Sequence, residues 1–279
     1  MAPDTPAGAP PAGPQPSSGG PAPSGAPGDP VSAYVRPPWP PWRTWEPLAA
    51  IAVLALSQVA LGLGLHPALR RFGLGSAEQR LEIAFPILVL GSHAATWVAV
   101  LWLLWRHRLR LRAALALQQS PGRALWGVYG AGLGLYLLVL PLLALFPPPP
   151  DQTNLFTDIF RRGGPALATL LVTAVLLAPA LEETLFRGLL LPALRLRWSF
   201  WPAALIVTVI FTGLHLGQTG PYWPALAGIF ACGLALAWLL ERSGSLWPSI
   251  AFHMGFNSTP FLVWLIAQPF GGLPDGPLR

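Results

Sequence analysis

Residues 165–190 read PALATLLVTAVLLAPALEETLFRGLL, and their reading decides the fold. Residues 165–181 carry no charge. Extended to Leu190, the run is long enough, at about 1.5 Å per residue, to cross a hydrocarbon layer of about 30 Å. Inside it sit Glu182 and Glu183, side by side. A charged side chain at the bilayer centre costs roughly 2.5 to 3.5 kcal/mol even on insertion scales, so an adjacent pair requires shelter from protein or water.

Six further segments of the same character lie at about 47–65, 83–105, 124–146, 199–217, 222–241 and 246–268. They define an all-α fold, a polytopic transmembrane helix bundle of about seven to eight helices, the eighth arising if residues 66–82 form an amphipathic interfacial helix. Of the 279 residues, 53% are apolar and 10% charged, too little charge for the surface of a soluble domain of this size. Trp42, Trp45, Trp102, Trp105, Trp198, Trp201 and Trp247 fall at segment ends, where indoles favour the membrane interface. Ahead of the bundle at 43–279 lies a Pro/Gly/Ala-rich tail, residues 1–42, with fourteen prolines before Trp42. The tail is expected to be disordered, and it lacks the basic start and apolar core of a signal peptide.

The net charge is +6, and every basic residue is an arginine. These flank apolar segments, which fits membrane topology and argues against nucleic-acid binding. Arg106, Arg108, Arg110, Arg112 and Arg123 share a loop, and Arg195, Arg197 and Arg242 fall in loops of the same parity. The positive-inside rule then puts the N-terminus in the cytoplasm, with Arg70, Arg71 and Arg80 counting the other way. A multi-pass protein of the cytoplasmic (plasma) membrane is expected, from a bacterium by its GC-rich composition, with membrane lipid as a partner. The lone cysteine, Cys232, lies in an apolar helix and reads as a small buried hydrophobe. Gly130 and Gly134 form a small-xxx-small pair that lets another helix approach closely.

Polar residues inside apolar segments carry the functional signal. Pro179 removes a backbone hydrogen bond and predicts a kink just before the acidic pair. Glu183 and Arg187 are four apart and share a helix face, which leaves Glu182 without a sequence-local partner. His215 follows Phe211 in the segment at 199–217, and His253 and Asn257, again four apart, share a face of the last segment. Together they supply a base, two imidazoles and an amide donor for a developing oxyanion. His93 lacks a polar companion and reads as a structural histidine; His66 and His107 sit at segment ends.

The series Glu182-Glu183-xxx-Arg187, Phe211-xxx-His215, His253-xxx-Asn257, each in an apolar segment, resembles the CPBP family of intramembrane endopeptidases, which includes the type II CAAX prenyl proteases and Abi-type proteins. The resemblance covers roughly residues 160–268 and implies hydrolysis of peptide bonds in membrane-associated or secreted proteins. It assigns Glu182 as the base that activates water, assisted by His215. The same resemblance implies that His253 and Asn257 would stabilise the oxyanion and that Glu183 with Arg187 would brace the helix.

No cofactor is expected; zinc held by Glu182, His215 and His253 is the alternative, although the HExxH spacing is missing. Two rivals remain: a proton-coupled transporter, disfavoured by the lack of an internal repeat, and a non-catalytic immunity or scaffold protein of the same fold. The straight-span reading places His215 too near one membrane face to meet Glu182 unless residues 188–200 run partly along or back into the membrane, or the segment boundaries are displaced.

Overall fold

The computed structural model describes residues 40–71, 73, 76–117, 122–148, 159–160 and 163–267. The expected disordered tail therefore lies almost wholly outside the described residues. Among the described residues every regular element is helical, and seven helices are long and apolar enough to cross a membrane. They are α1 (Trp45–Arg71), α2 (Ala77–Arg106), α3 (Ala124–Leu145), α4 (Gly164–Arg195), α5 (Phe200–Leu214), α6 (Trp223–Ser243) and α7 (Leu246–Ala267). A short turn of helix, Leu216–Thr219, continues α5 beyond a break at His215.

Among the described residues, no separate interfacial helix occupies 66–82. Residues 66–71 lengthen α1 through Pro67, and α2 starts at Ala77, where Ser76 and Gln79 form a reciprocal capping box. Leu63, Trp126, Leu138, Val209 and Leu265 stand exposed around the bundle. In water such a girdle would be an aggregation surface; in lipid it is solvated.

α4 is the central helix: from Leu181 to Leu191 every residue except Glu182 is buried. The kink expected at Pro179 takes another form. Over Thr173–Leu177 the helix widens to π, so that the Ala178 N–H donates to the Thr173 carbonyl five residues back. The widening recurs over Thr184–Leu190, where Leu191 donates to Phe186, and Pro192 follows at once. A proline ring clashes with the carbonyl four residues earlier, and a wider turn relieves that clash while keeping the helix continuous.

α3 and α7 pack more closely than any side chain would permit. A Cβ on Gly132 would lie 2.0 Å from the Phe252 carbonyl oxygen, and one on Gly255 would lie 2.0 Å from that of Tyr129. Close approach is thus made by Gly132 and Gly255, and not by Gly130 and Gly134, which have nothing within 4 Å. The reason the sequence misleads is that 130 and 134 share one face of α3, and 132 lies on the opposite one.

The two ends of the bundle differ. One gathers Arg43, Glu46, Arg106 and His107, with Glu46 accepting from His107 at 3.0 Å, and nearby the Arg195–Glu241 pair at 2.7 Å. At the other, Glu82 accepts from the Ala166 N–H in the first turn of α4, and the Tyr222 hydroxyl donates to the Phe146 carbonyl at 2.6 Å. Burial raises the Tyr222 phenol above its ordinary pKa. Cys232 is buried in α6.

Candidate active site

The site is built around α4. Arg187 is fully buried in the second π stretch, one turn beyond Glu183 and on the same face of the helix. Its Nη1 donates to Glu183 Oε1 at 3.0 Å, and its Nη2 to the Gly233 carbonyl on α6 at 2.9 Å. The guanidinium carbon lies 4.6 Å from the centre of the Phe211 ring on α5, within cation–π range. One side chain therefore ties three helices together.

α7 adds the imidazole. His253 Nδ1 lies 2.9 Å from the same Glu183 Oε1, and the carboxylate acceptor fixes Nδ1 as the protonated nitrogen. The other nitrogen, Nε2, is 3.7 Å from Glu182 Oε2, close enough for charge but too long for a hydrogen bond. Each ring nitrogen of His253 thus addresses one of the two adjacent glutamates. Glu183 is fully buried and accepts from both Arg187 and His253 on Oε1, with Oε2 unbonded; Glu182 keeps some exposure, makes no hydrogen bond to either residue, and its Oε2 is also unbonded.

Asn257, one turn beyond His253, reaches a different part of α4. Its amide nitrogen donates to the Ala174 carbonyl at 2.9 Å. That carbonyl is open because Ala178 has turned to Thr173 and Pro179 has no N–H to give. The carboxamide carries a second N–H, which this bond does not use.

His215 stands at the C-terminal cap of α5. Its Nδ1 donates to the Phe211 carbonyl at 2.8 Å, which leaves Nε2 with the lone pair in the neutral ring. It joins the other residues through Phe211, whose ring centre is 4.7 Å from the His215 ring and 5.8 Å from the His253 ring. The depth conflict is resolved by a displaced segment boundary and not by a re-entrant segment. α4 runs on to Arg195, so Glu183 lies twelve residues, about 18 Å, above the turn into α5, while Phe211 lies eleven residues above Phe200 on the way back.

Glu182, Glu183, Arg187 and His253 are therefore in direct contact, His215 is linked through an aromatic ring, and Asn257 sits a turn away. Among the described residues no group of three His, Cys, Asp or Glu side chains is gathered to hold a metal ion, the set Glu182, His215 and His253 included. Sequence reasoning passed over Gly233, whose carbonyl holds Arg187; its position on α6 gives no local signal. His93, whose Nδ1 donates to Val89 at 2.8 Å, is buried on α2.

Fold and site together define a multi-pass membrane protein with an intramembrane Glu–Glu–Arg–His set. Residues 164–259 are similar to the family described as type II CAAX prenyl endopeptidase Rce1-like, a match confined to that stretch of the chain and in line with the resemblance to CPBP proteins. A curated relative is a protein of Escherichia coli described as "Uncharacterized 24.3 kDa protein", 36% identical over 124 residues that make up 44% of this chain and 54% of the relative. The chain thus spans about half the length of the curated relative it matches. No solved structure gives a significant match.

Proposed function

We propose that this protein is an intramembrane endopeptidase in which Glu182 activates water without a metal. The observation that carries the reading is the division of labour on α4: the fully buried Glu183 takes the hydrogen bonds of both Arg187 and His253, and Glu182, partly exposed and bonded to neither, is left 3.7 Å from His253 Nε2. An unpaired carboxylate in a water-poor site is a base held next to its electrophilic partner.

Glu182 takes a proton from water as the oxygen attacks the peptide carbonyl. Negative charge collects on the former carbonyl oxygen, where His253 Nε2–H, present when the ring carries a second proton as imidazolium between Glu182 and Glu183, and the second N–H of Asn257 donate to it. Glu182 then returns the proton to the departing amine as the C–N bond breaks. His215, with Nδ1 bonded to Phe211, presents Nε2 as the hydrogen-bond partner of the water, and Glu183 with Arg187 holds His253 in register. The substrates are membrane-anchored proteins or secreted peptides. The protein resides in the cytoplasmic membrane of a bacterium, with its arginine-rich end inside.

The test is Glu182→Gln in purified protein and in cells, read by proteomic comparison of membranes. Substrates should accumulate uncut with the variant, and wild-type cleavage should survive strong chelator. A folded Glu182→Gln protein with full cleavage would remove the base assignment; activity lost on chelation and restored by zinc would remove the metal-free chemistry. If no cleavage is found with wild type either, the protein works as a scaffold.

A further inference from the structure

At the arginine-rich end, a cavity of about 530 Å³ opens between the start of α1 and the end of α4, lined by Trp42, Arg43, Thr44, Trp45, Leu196 and Arg197 among others. Its wall is fixed. Trp42 is buried with its indole N–H donating to the Leu189 carbonyl at 3.0 Å, and the Arg43 backbone N–H donates to Glu46 at 2.6 Å.

The charges around it are unevenly matched. Glu46 is already occupied by His107 at 3.0 Å and Arg106 at 4.0 Å, and Arg195 is paired with Glu241 at 2.7 Å. Arg43 and Arg197 are exposed, and among the described residues neither has a carboxylate within ion-pair range. Among the described residues, two cations without an ion-pair partner thus share one cavity, at the level where the helices enter lipid.

We propose that this cavity binds the phosphate-bearing headgroup of an anionic glycerophospholipid. A guanidinium fork matches phosphate oxygens in a bidentate manner, and an anion between the two arginines removes their mutual repulsion. The rim supplies the rest of the lipid's chemistry: Trp45 is 55% and Leu196 56% exposed, offering apolar surface for the glycerol and acyl portions. A soluble phosphate would use the arginines and leave that rim unused.

The experiment uses the full chain in nanodiscs of phosphatidylglycerol or of phosphatidylcholine, with bound lipid read by native mass spectrometry. Wild type should retain phosphatidylglycerol selectively. Retention should fall about five-fold for Arg197→Gln and about thirty-fold for Arg43→Gln with Arg197→Gln, the scale expected for basic residues at an anionic surface. Arg242→Gln, at the end of α6 against Trp238, should change nothing. Replacing both arginines by lysine keeps the charge and removes the bidentate fork, so should the neutral pair fail to fold, this variant should still show reduced selectivity, and undiminished selectivity there would also overturn the proposal. Equal retention of phosphatidylcholine, unaltered retention by Arg197→Gln, or displacement of bound phosphatidylglycerol by stoichiometric inorganic phosphate would overturn the proposal.

Discussion

Replacing Arg187 with methionine should destabilise the bundle by about 3 to 5 kcal/mol, because a fully buried carboxylate would lose its charged partner. The geometry sets the size of the effect. Arg187 makes hydrogen bonds of 3.0 Å to Glu183 and 2.9 Å to the Gly233 carbonyl and stacks over Phe211, so one truncation detaches α4 from α6 and α5 together. The variant Glu183→Gln with Arg187→Met removes both charges, and its loss should be smaller than that of Arg187→Met alone, by about 1 kcal/mol or more of coupling. Reversible unfolding in detergent or bicelles, followed by tryptophan emission across the set wild type, Arg187→Met, Glu183→Gln and the pair, measures that coupling. His253 is the second reporter: with Glu183 changed, its Nδ1 loses the carboxylate, and activity should fall even where stability recovers. If Arg187→Met costs less than about 1 kcal/mol, or if the four variants are additive, the buried network is not what holds this site together.

Gly255→Ala should destabilise by about 1 to 3 kcal/mol or more, since a Cβ there meets a main-chain oxygen at 2.0 Å, whereas Gly130→Ala, in open space, should stay within about 0.5 kcal/mol; parallel thermal melts compare them. Ser76→Ala should lower the stability of the α2 N-terminus by about 1 kcal/mol, seen as faster amide hydrogen exchange in the first turn and little change elsewhere. The Tyr222 phenol is raised from 10.0 by burial. The contribution of its bond to Phe146 is therefore complete below that pH and lost as pH rises through the folded value. Tyr222→Phe should abolish this alkaline dependence, monitored by the emission of Trp223 beside Phe146.

Much of this molecule is written in its sequence, and the exceptions have physical causes. Apolar length and interfacial tryptophans locate the helices because a bilayer imposes a minimum span and rewards indoles at its boundary. The Glu183–Arg187 contact follows from a spacing of four along one helix. Contacts between helices do not follow from local spacing. Nothing near Gly233 marks its carbonyl as the seat of a guanidinium, and Gly132 is distinguished from Gly130 only by which neighbour each faces. The reach of α4 to Arg195 is hidden because a proline at 192 and an arginine at 195 resemble a boundary. A π turn followed by proline continues the helix through it.

The bond between Asn257 and Ala174 makes positions 179 and 257 a single unit of design. An alanine at 179 would supply an N–H within reach of the carbonyl that Asn257 now occupies, and the asparagine would then compete with the backbone of another helix for its own anchor. Conversely, a leucine at 257 would leave that oxygen bare inside the bundle unless the proline were exchanged as well. One absent hydrogen on α4 thereby dictates a carboxamide on α7, and any redesign of this protein must change the two helices in the same step.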